Sequence, residues 1–174
     1  VRDQFLGSAL GLVWAVANPI LMLGIFTFVF GFVFKSKLPG AETSLSFVIW
    51  LISGYGPWLA IAQGLSAGTG AVVAYASLVK NLKFKTEILP MAGVLTGMIP
   101  LLVAIVYLTI LLAVESRIPT LEWLIMVPYL LLQLTFMIGI VLALSAANVF
   151  MRDVTMILPN LLLLIVFGSP IFYT

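Results

Sequence analysis

The chain has 174 residues, of which 63% are hydrophobic and 8% charged, with a formal net charge of +2. An ordinary soluble domain carries about 25% charged residues, so this composition excludes that class and identifies an integral membrane protein. The chain has no Cys and no His, which excludes a disulfide framework, a Cys/His zinc centre and a histidine base within it.

Val1 to Gly7 sets Arg2, Asp3 and Gln4 beside Phe5 and Leu6, and reads as the end of an amphipathic helix in the membrane interface. Leu12 to Phe34 is uncharged; about 20 such residues span a bilayer, so this is the first transmembrane helix. Pro19 inside it removes a backbone hydrogen bond and predicts a kink. Lys35 to Ser46 is a polar loop. Phe47 to Ala71 is the second span, with a bend or break expected at Gly54-Tyr55-Gly56-Pro57. Gly64 and Gly68 are four apart, as are Ser66 and Gly70, a spacing that lets helix backbones approach closely. Ordinary packing within one subunit accounts for it. After a polar stretch, Met91 to Val114 is the third span, Glu115 to Glu122 a turn, and Trp123 to Asn148 the fourth span. Arg152-Asp153 marks another turn, and Thr155 to Tyr173 is the fifth span, with Ser169-Pro170 near its end. No internal repeat is evident.

The stretch Leu78 to Met91 organises the rest. It holds Lys80, Lys83, Lys85 and Glu87 between two long apolar runs. Each charge at the bilayer centre costs several kcal/mol, so this segment is a loop at a membrane surface. Its Lys content assigns it to the cytoplasmic side. With the N-terminus inside, the inner segments hold Arg2, Lys80, Lys83, Lys85 and Arg152, against Lys35, Lys37 and Arg117 outside, a bias of five to three.

None of the six acidic residues falls in the middle of a span, so the relay of an ion-driven transporter is not evident. Neither the base and nucleophile of a hydrolase nor a metal-ligand cluster is present, and there is no Gly-rich phosphate loop. No catalytic and no metal-binding residue is therefore assigned. Energy for any transport is expected from a separate chain. Phe26 and Phe30 share a face of the first span. They read either as lipid-facing rings or as an aromatic wall for sugar rings.

Five stretches together resemble one family. Ser8-Ala-Leu-Gly-Leu-Val-Trp14 with Asn18-Pro19 is similar to the opening of the first span in polysaccharide-exporting type-2 ABC transporter permeases. Phe28-Val-Phe30-Gly31 resembles the segment closing that span. Lys83-Phe-Lys-Thr-Glu87-Ile-Leu-Pro90 is similar to the family's cytoplasmic loop, with Lys85 where a proline is usual. Asn148-Val-Phe-Met-Arg152-Asp153 and Ser169-Pro170-Ile-Phe-Tyr173 resemble the turn before the last of these spans and the end of that span.

The resemblance implies an all-α, polytopic helical bundle with five transmembrane helices in this sequence and six in the full subunit. Residues 1–174 are then a single transmembrane permease domain, truncated at both ends. It implies a multi-pass protein of the bacterial inner membrane, paired with a second copy of itself and with two ATP-binding cassette subunits. It binds no cofactor of its own; ATP sits on the partner. No nucleic acid is involved. The cargo is a lipid-diphosphate-linked polysaccharide such as O-antigen, capsule or teichoic acid. Lys83, Lys85, Glu87 and Pro90 then belong to the loop that couples to the ATPase. Arg2, Leu10, Gly11, Trp14, Phe26, Phe30, Phe172 and Tyr173 are candidates for the substrate path, with Leu10-Gly11 near the lipid-diphosphate head group. Positive-inside anchoring explains Arg2 equally well, and a turn-capping and topology role explains Arg152 and Asp153. A type-2 permease for a drug or lipo-oligosaccharide, and a non-ABC flippase or scaffold, are the competing expectations.

Overall fold

The structure, a computed structural model, describes residues 13–35, 43–81, 85–116 and 121–171. Among them the regular structure is all helical, because lipid offers no partner for a free N–H or C=O and a helix satisfies both internally. The first span is an α-helix, α1 (Val13–Phe26), continued by a wider helix over Thr27–Val33. Then follow α2 (Ser44–Ala74), a short α3 (Ala76–Asn81), α4 (Ile88–Val114), a 3-10 turn (Leu121–Ile125), α5 (Met126–Phe150) and α6 (Val154–Gly168). Four helices, Val13–Val33, Ser44–Ala74, Ile88–Val114 and Trp123–Phe150, are long and apolar enough to cross a membrane. The protein is a multi-pass membrane helical bundle, as its composition predicts.

One expectation is narrowed and one corrected. The second span does not break at Gly54–Pro57: α2 runs unbroken for 31 residues with Pro57 inside it. Pro57 has no N–H to give the Ser53 carbonyl one turn earlier. Lost backbone bonds of this kind are tolerated where side chains and neighbouring helices supply others. The fifth span is also shorter than Thr155 to Tyr173. α6 has 15 residues, about 22 Å of rise against a hydrocarbon core of about 30 Å. It stops at Gly168, and Ser169-Pro170 turns the chain, with the Ile171 N–H on the Ser169 carbonyl at 2.8 Å.

The chain divides into two compact units. One takes in Val1–Leu59, Ile99–Thr120 and Ser169–Thr174, so its described part holds α1, the wide segment, and portions of α2 and α4. Its core is Leu23, Val48, Leu51, Ile52, Tyr55 and Ala104, all buried. The other takes in Ala60–Met98 and Leu121–Gly168, and holds the remainder of α2 and α4 with α3, α5 and α6. Its core is Leu65, Thr69, Val94, Met137, Val141, Ser145 and Asn148. α6 buries only the stripe Leu158, Leu162 and Val166; Ile157, Leu161, Leu164 and Phe167 stand exposed. Outward apolar side chains are what a lipid solvent requires. Several hydroxyls along the spans bond back to their own helix, as at Thr96 to Gly93, Thr109 to Ile105 and Thr135 to Leu131.

Candidate functional site

The Lys-rich segment is built between two tightly locked helices. α2 ends at Ala74; Tyr75 turns the chain, and α3 follows, with the Val79 N–H on the Tyr75 carbonyl at 3.0 Å. Lys80 lies on α3. Lys85, Thr86 and Glu87 form the turn into α4 and are exposed. The Lys85 and Thr86 carbonyls accept the Ile88 and Leu89 N–H groups at 3.2 Å each, and the Glu87 carbonyl accepts from Met91 at 3.4 Å. Glu87 therefore precedes the first residue of α4. Its carboxylate sits at the positive end of that helix's dipole. The one short helix described in this segment is α3, and Glu87 lies beyond it.

Glycines hold the two arms of the loop together. A Cβ at Gly93 of α4 would overlap the backbone of Gly68 of α2, and one at Gly97 would come within 2.5 Å of the Ala60 carbonyl oxygen. Gly68 in turn faces the Pro90 carbonyl at 2.7 Å from such a Cβ, and Gly64 lies against Val94 and Met137. Gly64-x3-Gly68 and Gly93-x3-Gly97 thus cross at backbone contact. The α2 pair was legible in the sequence and its packing lies within one chain. The α4 pair carries the same spacing signal and was missed. Pro90 is buried in this crossing.

The α5–α6 turn approaches the same arm of α2. Asn148 is 2% exposed, and its side-chain amide donates to the Thr69 carbonyl at 3.2 Å. A Cβ at Gly70 would touch the Thr155 methyl at 3.6 Å. Arg152 and Asp153 are both exposed in the turn. Their carbonyls serve the start of α6: Arg152 accepts the Thr155 hydroxyl at 2.8 Å, and Asp153 accepts the Met156 and Ile157 N–H groups at 3.0 Å.

The first-span aromatics belong to the other unit. Phe26 meets Tyr55 edge-on with ring centroids 4.7 Å apart, and Phe30 meets Phe47 at 5.8 Å. Both are half-buried against α2 of the same chain, each with part of its surface still open. Phe28, Phe32 and Phe34 are the open rings, each more than 60% exposed. Trp14 is half-buried. Arg2, Leu10, Gly11, Lys83, Phe172 and Tyr173 lie outside the described residues, as does the interfacial helix expected at Val1 to Gly7.

Sequence reading also missed Glu115. It follows α4, and its carboxylate accepts the Thr43 hydroxyl at 2.6 Å and the Ser46 hydroxyl. Thr43 Oγ1 meanwhile accepts the Ser46 N–H at 3.4 Å, capping α2. The end of α4 is thereby fastened to the start of α2. A lone acid beside an apolar run, with two hydroxyls three apart in an earlier loop, was the available signal.

No protein-family model matches the chain. Curated proteins do. The chain is 27% identical over 174 residues to the O-antigen export system permease protein RfbA of Klebsiella pneumoniae, covering 99% of this chain and 65% of that protein. It is 26% identical over 173 residues to the O-antigen export system permease protein RfbA of Myxococcus xanthus, covering 99% of this chain and 64% of that one. The chain thus spans slightly less than two-thirds of the length of these relatives. Along nearly its whole length it is similar to permease proteins of O-antigen export systems, which is the resemblance its motifs carry.

Proposed function

We propose that this chain is the membrane-spanning part of an ATP-driven ABC exporter permease that moves a lipid-linked polysaccharide across the bacterial inner membrane, with its N-terminus cytoplasmic. The observation that carries the proposal is the similarity to O-antigen export permeases over 99% of the chain. The permease hydrolyses no ATP itself; two ATP-binding subunits under a pair of permeases do so. The segment 76–87 receives their movement. Because its arms, α2 and α4, touch backbone to backbone at Gly68 and Gly93, a push on the loop moves the pair as one body. Lys83, Lys85, Glu87 and Pro90 are the coupling residues. Arg2 and Leu10-Gly11 serve the lipid-diphosphate head group. Trp14, Phe26, Phe30, Phe172 and Tyr173 contribute weak, exchangeable faces to the polymer path. A hydrated polymer that must slide is better served by such faces than by a deep specific pocket.

The test is deletion of the gene in the producing organism, followed by separate measurement of surface and intracellular lipid-linked polysaccharide. Loss from the surface with accumulation inside, reversed by the intact gene, is the expected result. Undiminished surface polysaccharide would refute the proposal.

A further inference from the structure

We propose that Thr27, braced by Tyr107, is a positioning residue that fixes the register of the first span's aromatic ladder. Up to Phe26 the span is an ordinary α-helix. Over Thr27–Val33 it widens, and the Phe34 N–H reaches the Val29 carbonyl, five residues back, at 2.8 Å. Such wide turns are rare, mostly occur as single-turn insertions, and are frequent at functional sites. Here the widened stretch is seven residues long.

The side chains at its first residue mark where it begins: Thr109 and Thr135 bond back in the same way within helices that stay regular, and what Thr27 adds is the Tyr107 hydroxyl of α4. The Thr27 hydroxyl donates to the Leu23 carbonyl at 2.9 Å. Tyr107 Oη lies 2.9 Å from Thr27 Oγ1. A hydroxyl has one proton and Thr27 has committed its own, so Tyr107 donates to Thr27. A hydroxyl that bonds back to the carbonyl four residues earlier competes with the helix's own N–H and distorts the helix. In hydrocarbon no water replaces either bond. The pair therefore acts where the ladder slips from four-residue to five-residue spacing.

The consequence falls on the rings. Phenylalanines occupy 26, 28, 30, 32 and 34. In the widened helix Phe26, Phe30 and Phe34 run in one row with centroids 6.1 and 5.9 Å apart; its first two rings meet α2, and Phe34 at its end is open. Phe28 and Phe32 form a second row, 6.2 Å apart, that stays open. Were the segment to revert to an α-helix, the same residues would sweep a larger angle, and each ring beyond Thr27 would rotate away from its present row. Thr27 thus decides which row packs on α2 and which is presented outward. If the polymer path proposed above includes the first span, Thr27 also sets the face the sugar meets; that clause alone rests on the export reading.

The register can be read directly, because the chain has no cysteine. A Cβ on Gly31 would lie 3.4 Å from a Val48 methyl, within reach of a disulfide. Gly31→Cys with Val48→Cys, in membranes of the producing cell under mild oxidation, is expected to cross-link within one chain. Adding Thr27→Val, which keeps the shape and removes the hydroxyl, is expected to lower the yield about threefold or more, a shift that one interhelical hydrogen bond of typical strength supports. Tyr107→Phe should do the same, the double variant should do no more than either, and Thr27→Ser should restore the bond. Failure of the parent pair to cross-link, or a yield in both variants unchanged from that of the parent pair, would overturn the proposal. Surface polysaccharide is measured in the same strains without the cysteines. Lower export in Thr27→Val, recovered in Thr27→Ser, supports the polymer-face clause. A shifted cross-link with unchanged export refutes that clause and leaves the register assignment standing.

Discussion

At the scale of single residues, close packing governs what can be changed. Gly93 has no room for a side chain, since a Cβ would overlap the Gly68 backbone, whereas nothing lies within 4 Å of a Cβ at Gly139. Gly93→Val is therefore expected to destabilise the purified protein by about 1–3 kcal/mol, the usual cost of overpacking. Gly139→Ala is expected to leave the thermal midpoint in detergent unchanged or raise it slightly. Equal midpoints for the two variants would contradict the crossing. Asn148 makes the opposite case. Its amide bonds the Thr69 carbonyl, but its own carbonyl oxygen is buried without a partner, as are the Thr69 and Ser145 hydroxyl oxygens. Bonds between helices in membranes average about 0.6 kcal/mol. Replacing the whole amide by an apolar side chain also removes the unmet acceptor. Asn148→Leu is accordingly expected to cost less than about 1 kcal/mol in the same measurement.

At the scale of elements, the ends of helices carry the chemistry. Glu115 holds two hydroxyls at the start of α2, and bonds to charged groups contribute about 1.5–3 kcal/mol, less where water reaches them. Glu115→Ala is expected to cost about 1–2 kcal/mol, with Glu115→Gln milder because it keeps an acceptor; a midpoint unmoved by either would remove the clamp. Glu87 is exposed, so its only folding role on view is a helix-dipole contribution of about 0.3–1 kcal/mol. Glu87→Ala is thus expected to leave protein level intact while lowering export per ATP hydrolysed. Unchanged export at normal level would reduce Glu87 to a helix-end charge. The helices themselves were legible because apolar length and the position of charges dictate spans directly. The Lys-rich loop and the Arg152-Asp153 turn fell where the charges put them. The unbroken course through Pro57 was not legible, since neighbouring helices decide whether a proline breaks a span. Nor was the widening at Thr27, which depends on Tyr107, eighty residues later. The aromatic rows were visible as a spacing, but only tertiary contact with Tyr55 and Phe47 shows which row is covered.

At the scale of the whole molecule, the central claim is that a separate ATP-binding partner drives this bundle through residues 76–87. No acidic residue falls in the middle of an apolar run of the sequence, and among the described residues there is no cluster able to hold a metal ion. Three lysines close together in sequence are the reason the proposed topology puts residues 76–87 on the cytoplasmic side. The most direct test uses Ser77, exposed on α3 in a chain without native cysteine. Ser77→Cys carrying a short thiol-reactive photo-cross-linker is irradiated in inverted membrane vesicles from the producing cell. A covalent adduct to the ATP-binding subunit, with attachment of the reagent from the cytoplasmic face only, is the predicted result. Attachment of a membrane-impermeant reagent from the outer face of intact cells, with no adduct, would contradict the account.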